Sequence, residues 1–231
     1  MLTSSIFFRM NSIPIIYEND EILVINKPTG MSVQGGEKIA HPMDEELSKQ
    51  LGYKIFLVHR LDRDTSGLMV AAKSSAAASK WISLISSKKV KKEYKAICLG
   101  SPKGGKSGCI TDNIEKGGIE KSAFTEYQLE KEFQKDFDLD PAVKIKLSLL
   151  HLKLGTGRMH QIRIHLAKAG CPIACDDKHG NFKMNKLLRK CCGAKILQLC
   201  SFKLSLPLNG KTQVFQIELP PHMQKVIDSF S

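Results

Sequence analysis

The sequence predicts an α+β domain: a mixed, mostly antiparallel sheet with flanking helices. Three observations point to it. Short β-branched and Leu-rich runs are many, helical patterns are few, and the connections between them are mostly brief.

In chain order, IPIIYE and EILVINK within residues 13–28 read as two strands. They are joined by the turn signal Asn19-Asp20 and stopped by Pro28. DEELSKQLG (44–52) reads as a short helix with an acidic first turn and a Gly stop. FLVHRLD and GLMVAAK are apolar, strand-like runs on either side of an acidic turn. SSAAASKWISLISSKK (74–89) has a Ser cap, an Ala-rich body and a basic end, the signature of a helix. KKEYKAICLG (91–100) returns to strand character, and the Gly- and Lys-rich tract 101–122 reads as loops and short hairpins. VKIKLSLLHLKL (143–154) is a strand. RMHQIRIHLAKAG (158–170) reads as a helix with Met159, Ile162, Leu166 and Ala169 on one face and Gly170 as its stop. KILQLCSFKLSLP and TQVFQIELP are further strands. No linker divides the chain, so residues 13–231 are expected to form one catalytic domain behind an N-terminal extension, 1–12.

Composition narrows the function. A chain of 231 residues is long enough for one sizeable core or two small domains. No run approaches the roughly 20 apolar residues of a membrane span, and MLTSSIFFRMNS lacks a small-residue cleavage site. Seven cysteines, two of them adjacent (Cys191, Cys192), suit free thiols in a reducing cytoplasm better than a disulfide framework. Lys plus Arg is 35 against 23 Asp plus Glu, a formal charge of +12 that calls for a polyanionic partner. An aromatic content of 6% argues against a stacking platform for single strands.

Four stretches are candidate sites. Gly100–Ser107, GSPKGGKS, fits the phosphate-loop pattern, but GCITDNIEKGG follows it where a helix would have to begin. Cys171-x3-Cys175 and Cys191-Cys192, with His179 between them, lack the paired short spacings of structural zinc sites and read as free thiols. TGRMHQIRIHLAKAG (156–170) gathers Arg158, His160, Gln161, Arg163 and His165 on one short element, as an RNA-facing or an active-site helix would. HRLDRDTSGL (59–68) is the sharpest. Its packed opposite charges fit either a structural salt-bridge knot or a carboxylate that neighbouring arginines keep ionised for attack or proton abstraction.

Taken together, YENDEILVINKPTGMSV, HRLDRDTSGL, KKEYKAI and TGRMHQIRIHLAKAG, in that order, resemble the RluA-type pseudouridine synthases from about residue 13 to the C-terminus. The resemblance implies a catalytic domain around a long bent sheet with a cleft. It also implies an isomerase that turns selected uridines of ribosomal or transfer RNA into pseudouridine without metal or organic cofactor. By motif position it makes Asp62 the catalytic aspartate, Tyr94 the active-site tyrosine and Arg163 the basic partner of the aspartate. Arg60 would help to displace the target nucleotide, and His59, Arg158, His160 and Gln161 would contact substrate. Asp64 falls on a variable position. Where the family often has Gly-Asp-x-x-Tyr-Gly, this chain has Cys175-Asp176-Asp177-Lys178-His179-Gly180, with His179 in place of Tyr. About a dozen residues precede the first motif, so a short form without the S4-type RNA-binding domain is expected, acting on RNA as a monomer, away from membranes. A silent RNA-binding factor on the same fold is the alternative; pure binding needs no carboxylate beside phosphates.

Overall fold

The computed structural model describes residues 12–35, 40–138 and 143–231. The expected extension 1–12 therefore lies almost wholly outside the described residues. The chain divides into two compact units at Lys89/Val90, and each is taken by itself.

The first unit contains β1 (Ile15–Glu18), β2 (Ile22–Lys27), α1 (Met43–Leu51), β3 (Phe56–Leu57), β4 (Ser66–Ala72) and α2 (Ser75–Ser86). Its strands run β1-β2-β4-β3, each pair antiparallel. The β1–β2 turn forms because Asn19 Oδ1 accepts the amides of Glu21 and Ile22 at 2.9 and 2.8 Å, replacing backbone partners at the bend. Every residue of β4 is buried. Ser74 caps α2 by accepting from the Ala77 amide, and Trp81 of that helix is 1% exposed. Of the expected strand FLVHRLD only Phe56–Leu57 is extended with a partner; residues 58–65 form the connection to β4.

The second unit holds β5 (Lys91–Leu99), β6 (Ser107–Ile110), the hairpin β7 (Ile114–Lys116) and β8 (Ile119–Lys121), β9 (Thr125–Phe137), β10 (Val143–Leu154), α3 (Gln161–Lys168), α4 (Phe182–Cys192), β11 (Leu199–Leu208), β12 (Lys211–Gln216) and α5 (Pro221–Asp228). Apart from the β7–β8 hairpin, the strand order is β12-β11-β5-β10-β9-β6, all antiparallel. Asn209 and Gly210, at φ 50° and 72°, make the two-residue turn between β11 and β12, where both central residues must be left-handed. Ile97, Ile145, Leu147, Leu188, Cys200, Met223 and Phe230 form the core under α4 and α5.

Two readings of the sequence change, and the reading of the phosphate-loop pattern does not. Strand β9 and helices α4 and α5 were not expected. Helix α3 begins at Gln161, so Arg158, Met159 and His160 precede it, and Met159 is 52% exposed rather than on the apolar face. The cause is His160, whose left-handed φ of 53° breaks the helix before it starts. The phosphate-loop pattern leads into strand β6 at Ser107, with no helix to aim amides at a phosphate. No helix among the described residues is long and apolar enough to cross a membrane.

Candidate active site

In the first unit the acidic turn is fixed by groups beneath it. Lys27 ends β2 opposite Gly67, and its side chain is fully buried. Its Nζ donates to three carbonyl oxygens: Pro28 at 2.9 Å, Met31 at 2.8 Å and Arg63 at 2.8 Å. Burial lowers its pKa to about 8, against the opposing pull of the Asp64 and Asp62 carboxylates. Thr29 Oγ1 donates to the Asp64 carbonyl at 2.9 Å, and the Thr65 amide to the Asp62 carbonyl at 3.2 Å. Lys27 and Thr29 thus hold residues 63 and 64 to the end of β2 and the chain after it, and the Thr65–Asp62 bond closes the turn.

On that turn Asp62 is half-buried and Arg60 exposed, while Leu61 between them is buried. Arg63 turns to its neighbour, Nε 3.0 Å from Asp64 Oδ1. One arginine–aspartate pair of the stretch, Arg63 with Asp64, is thus formed within the turn. His59 Nε2 accepts the Val70 amide at 3.0 Å, which places the proton on Nδ1 and docks the ring on β4.

In the second unit Tyr94 lies on β5, buried, opposite Leu152 of β10 and Ser201 of β11. Arg163 is 3% exposed and grips Asp176 with two parallel bonds, Nε–Oδ2 at 2.7 Å and Nη2–Oδ1 at 2.6 Å; Nη2 also reaches Asp177 Oδ1 at 3.1 Å. Burial works to raise the Asp176 carboxyl. The Arg163 bonds and the His179 and Lys178 amides outweigh it and hold the group below its ordinary value. Gly180 closes this turn, and a Cβ there would strike the Asp176 carbonyl oxygen.

Around the start of α3, Gln161 is fully committed. Its Oε1 accepts the Arg158 amide and the Thr156 hydroxyl; its Nε2 donates to the Phe124 carbonyl and to Thr125 Oγ1. With these four internal bonds Gln161 orders the 156–158 loop. His165 continues the network. Burial lowers its pKa, and the neutral ring donates from Nε2 to the Asp112 carbonyl and accepts at Nδ1 from Thr125. Arg158 is exposed, anchored by one bond from Nε to the Ser122 carbonyl at 3.2 Å. His160 Nδ1 lies 3.0 Å from His179 Nε2, so the histidine that departs from the family pattern meets a motif residue directly.

The structure therefore gathers His59, Arg60 and Asp62 on one turn, and Arg158, His160, Gln161 and Arg163 at one helix start, with Tyr94 on β5. Sequence reasoning missed Lys27, Asp176 and His179 as parts of these clusters. Asp176 stood in the quoted motif, but its partner 13 residues away was not inferable from spacing. No group of three or more His, Cys, Asp or Glu among the described residues is placed to hold a metal ion.

Comparison with known proteins agrees with these motifs. The family model described as RNA pseudouridylate synthase matches residues 21–168. The chain is 34% identical over 226 residues to Ribosomal large subunit pseudouridine synthase C of Rickettsia bellii, covering 92% of this chain and 70% of that protein. It is 38% identical over 183 residues to the Rickettsia felis protein of the same name, covering 72% and 56%. Among solved structures, Human RNA Pseudouridylate Synthase Domain Containing 4 superposes with a TM-score of 0.74 at 24% identity, over 94% of this chain and 92% of that one. Human RNA Pseudouridylate Synthase Domain Containing 1 gives 0.73 at 20%, over 93% and 87%. These two establish the α+β fold, and the family match with the Rickettsia relatives establishes the lineage: the chain belongs to the RNA pseudouridylate synthases, isomerases that act on RNA.

Proposed function

We propose that this protein isomerises selected uridines of large-subunit ribosomal RNA to pseudouridine, working as a cytoplasmic monomer. The relatives named for that substrate support the reading. The observation that carries it is the turn bearing Asp62: clamped from below by Lys27 and Thr29, with Asp62 half-buried and Arg60 exposed beside it.

The reaction breaks the N1–C1′ bond, turns the uracil and forms the C5–C1′ bond; C5 loses a proton and N1 gains one. The target base first leaves its stack, at a cost of a few kcal/mol, and Arg60 is suited to fill the space or hold the displaced strand. Asp62 either attacks C1′ or abstracts a ribose proton to give a glycal. Tyr94 offers a flat ring against the freed uracil and a phenol for the C5 proton. By motif position Arg163 is the basic partner of the catalytic aspartate, and within its own unit its guanidinium is held in place by Asp176. Arg158 and His160 contact the flanking nucleotide.

The test is tritium release from C5-labelled uridine, run on ribosomal and on transfer RNA transcripts. Release from the ribosomal transcript alone is the expected result. Release from transfer RNA only would reassign the substrate, and tight RNA binding with no release would make the protein a silent binder.

A further inference from the structure

Between Asp177 and Glu218 the chain contains no acidic residue, while Lys178, Lys183, Lys186, Arg189, Lys190 and Lys195 crowd its first part. Four of these lie on α4, a helix whose other side is apolar: Leu188 is buried, and Met184, Leu187, Cys191 and Cys192 pack against the core. All six cations are exposed.

Helix stability accounts for only part of this face: Arg189 and Lys190 sit in the last turn, where the helix dipole favours cations. Lys183 sits in the first turn, against the positive end of the helix dipole, where no acidic residue offsets it. Lys183–Lys186, Lys186–Arg189 and Lys186–Lys190 are like-charged neighbours at three- and four-residue spacing, which repel. Several lysines elsewhere are paired, among them Lys49 with Glu46, Lys73 with Glu18, Lys80 with Glu21 and Lys95 with Glu130. None of the six forms a salt bridge with a described residue. The face is a set of cations held close together with no anionic partner among the described residues.

Its place in the second unit is fixed. Asn185, in the second turn of α4, accepts the Cys175 amide and donates to the Asp176 carbonyl, both at 2.9 Å. Asn181 caps the helix by accepting the Met184 amide. The helix is therefore tied to the turn whose Asp176 grips Arg163.

We propose that the exposed face of α4 is a docking surface for the sugar-phosphate backbone of RNA flanking the target uridine. Lys183 to Lys190 spans about 10 Å of helix axis at 1.5 Å per residue. That length is enough to meet a short run of successive phosphates on one strand. The surface aligns the substrate through charge alone and reads no sequence. This inference rests on the reading that the protein acts on RNA.

The test is a Lys183→Gln/Lys186→Gln/Arg189→Gln/Lys190→Gln variant, chosen because Gln keeps helix propensity. Binding of a ribosomal RNA fragment is measured from low to moderate salt, with circular dichroism to check the fold. The comparison variant is Lys49→Gln/Lys80→Gln/Lys73→Gln/Lys95→Gln, which removes the same charge at paired positions. In the α4 variant Kd is expected to rise on the order of tenfold to a hundredfold, and the log–log salt slope to fall by about 2–3 units, at 0.7–0.9 per lost phosphate contact. The paired-lysine variant is expected to shift Kd far less. Equal shifts in the two variants, or an α4 variant within about twofold of wild type, overturn the proposal. A wild-type protein that neither binds nor isomerises the RNA overturns the underlying reading instead.

Discussion

The Nζ of Lys27 lies 2.8 Å from the carbonyl oxygen of Arg63, the residue after Asp62, and this bond spans 36 positions of sequence. With the Pro28 and Met31 carbonyls it saturates the three donors of an ammonium. A neutral amine has two N–H bonds and would leave one carbonyl unmet.

Activity and stability are therefore expected to move in opposite directions at alkaline pH. Lys27 titrates at about 8 in the folded chain against 10.5 ordinarily. The unfolded chain thus binds more protons between those values, and folding gains stability as pH rises through the window. Below pH 8 the net penalty on the charged form stands in full, roughly 3 kcal/mol from the difference in pKa. Turnover should fall through the same window as the clamp loses a donor. A pH–rate profile with urea unfolding at each pH checks this, using Lys27→Met as reference. An alkaline decline in kcat that persists unchanged in folded Lys27→Met would refute the assignment.

The two aspartates of the turn are expected to separate cleanly. Asp62→Asn should yield no detectable pseudouridine while still binding RNA, since one carboxylate near phosphates has gone. Asp64→Asn should still turn over at neutral pH. Because Asp64 is the largest influence keeping Lys27 charged, its loss should also move the alkaline limb to lower pH. The assay must detect isomerisation itself, as the product has the mass of the substrate. Abolition of turnover by Asp64→Asn alone would exchange the two roles.

Removing the partner of Arg163 should be costly. Asp176→Asn leaves a cation that is 3% exposed without its bidentate carboxylate, and a loss of about 3 kcal/mol is expected in chemical denaturation. The folded Asp176 carboxyl is held below 3.8, so its contribution is complete above that value and is lost as pH falls through the lower, folded pKa. Acid unfolding should accordingly be less steep in the variant. Equal stability of the two proteins at pH 7 would contradict the pairing.

Gly180→Ala should destabilise by roughly 1–3 kcal/mol, because its Cβ would meet the backbone carbonyl of Asp176 rather than a flexible side chain. Thermal melting measures this. An unaltered Tm would show that the Asp176 turn relaxes freely.

How much of this was legible in the sequence depended on the range of the interaction. Asn19, Ser74 and the Gly52 that ends α1 act on neighbours within a few residues, so their elements were readable in place. Strand β9 was not, because Thr125, Tyr127 and Phe133 are its only fully buried residues and charged groups fill most of the rest. Helix α4 hid for a similar reason, with Leu188 alone fully buried. Asp62, Tyr94 and Arg163 were found as motif positions, whereas Lys27 was passed over as part of a strand end. A lysine there is ordinarily exposed, and only the approach of residue 63 shows it buried and saturated.

The four bonds of Gln161 have a thermodynamic consequence for recognition. The loop 156–158, carrying Arg158 towards solvent, is already ordered by Thr156, Phe124 and Thr125 before any ligand arrives. Immobilising such side chains on association typically costs about 0.5–1.5 kcal/mol each. Here the 156–158 backbone is ordered on folding, so the phosphate contact proposed for Arg158 leaves only that arginine's own side chain to be immobilised.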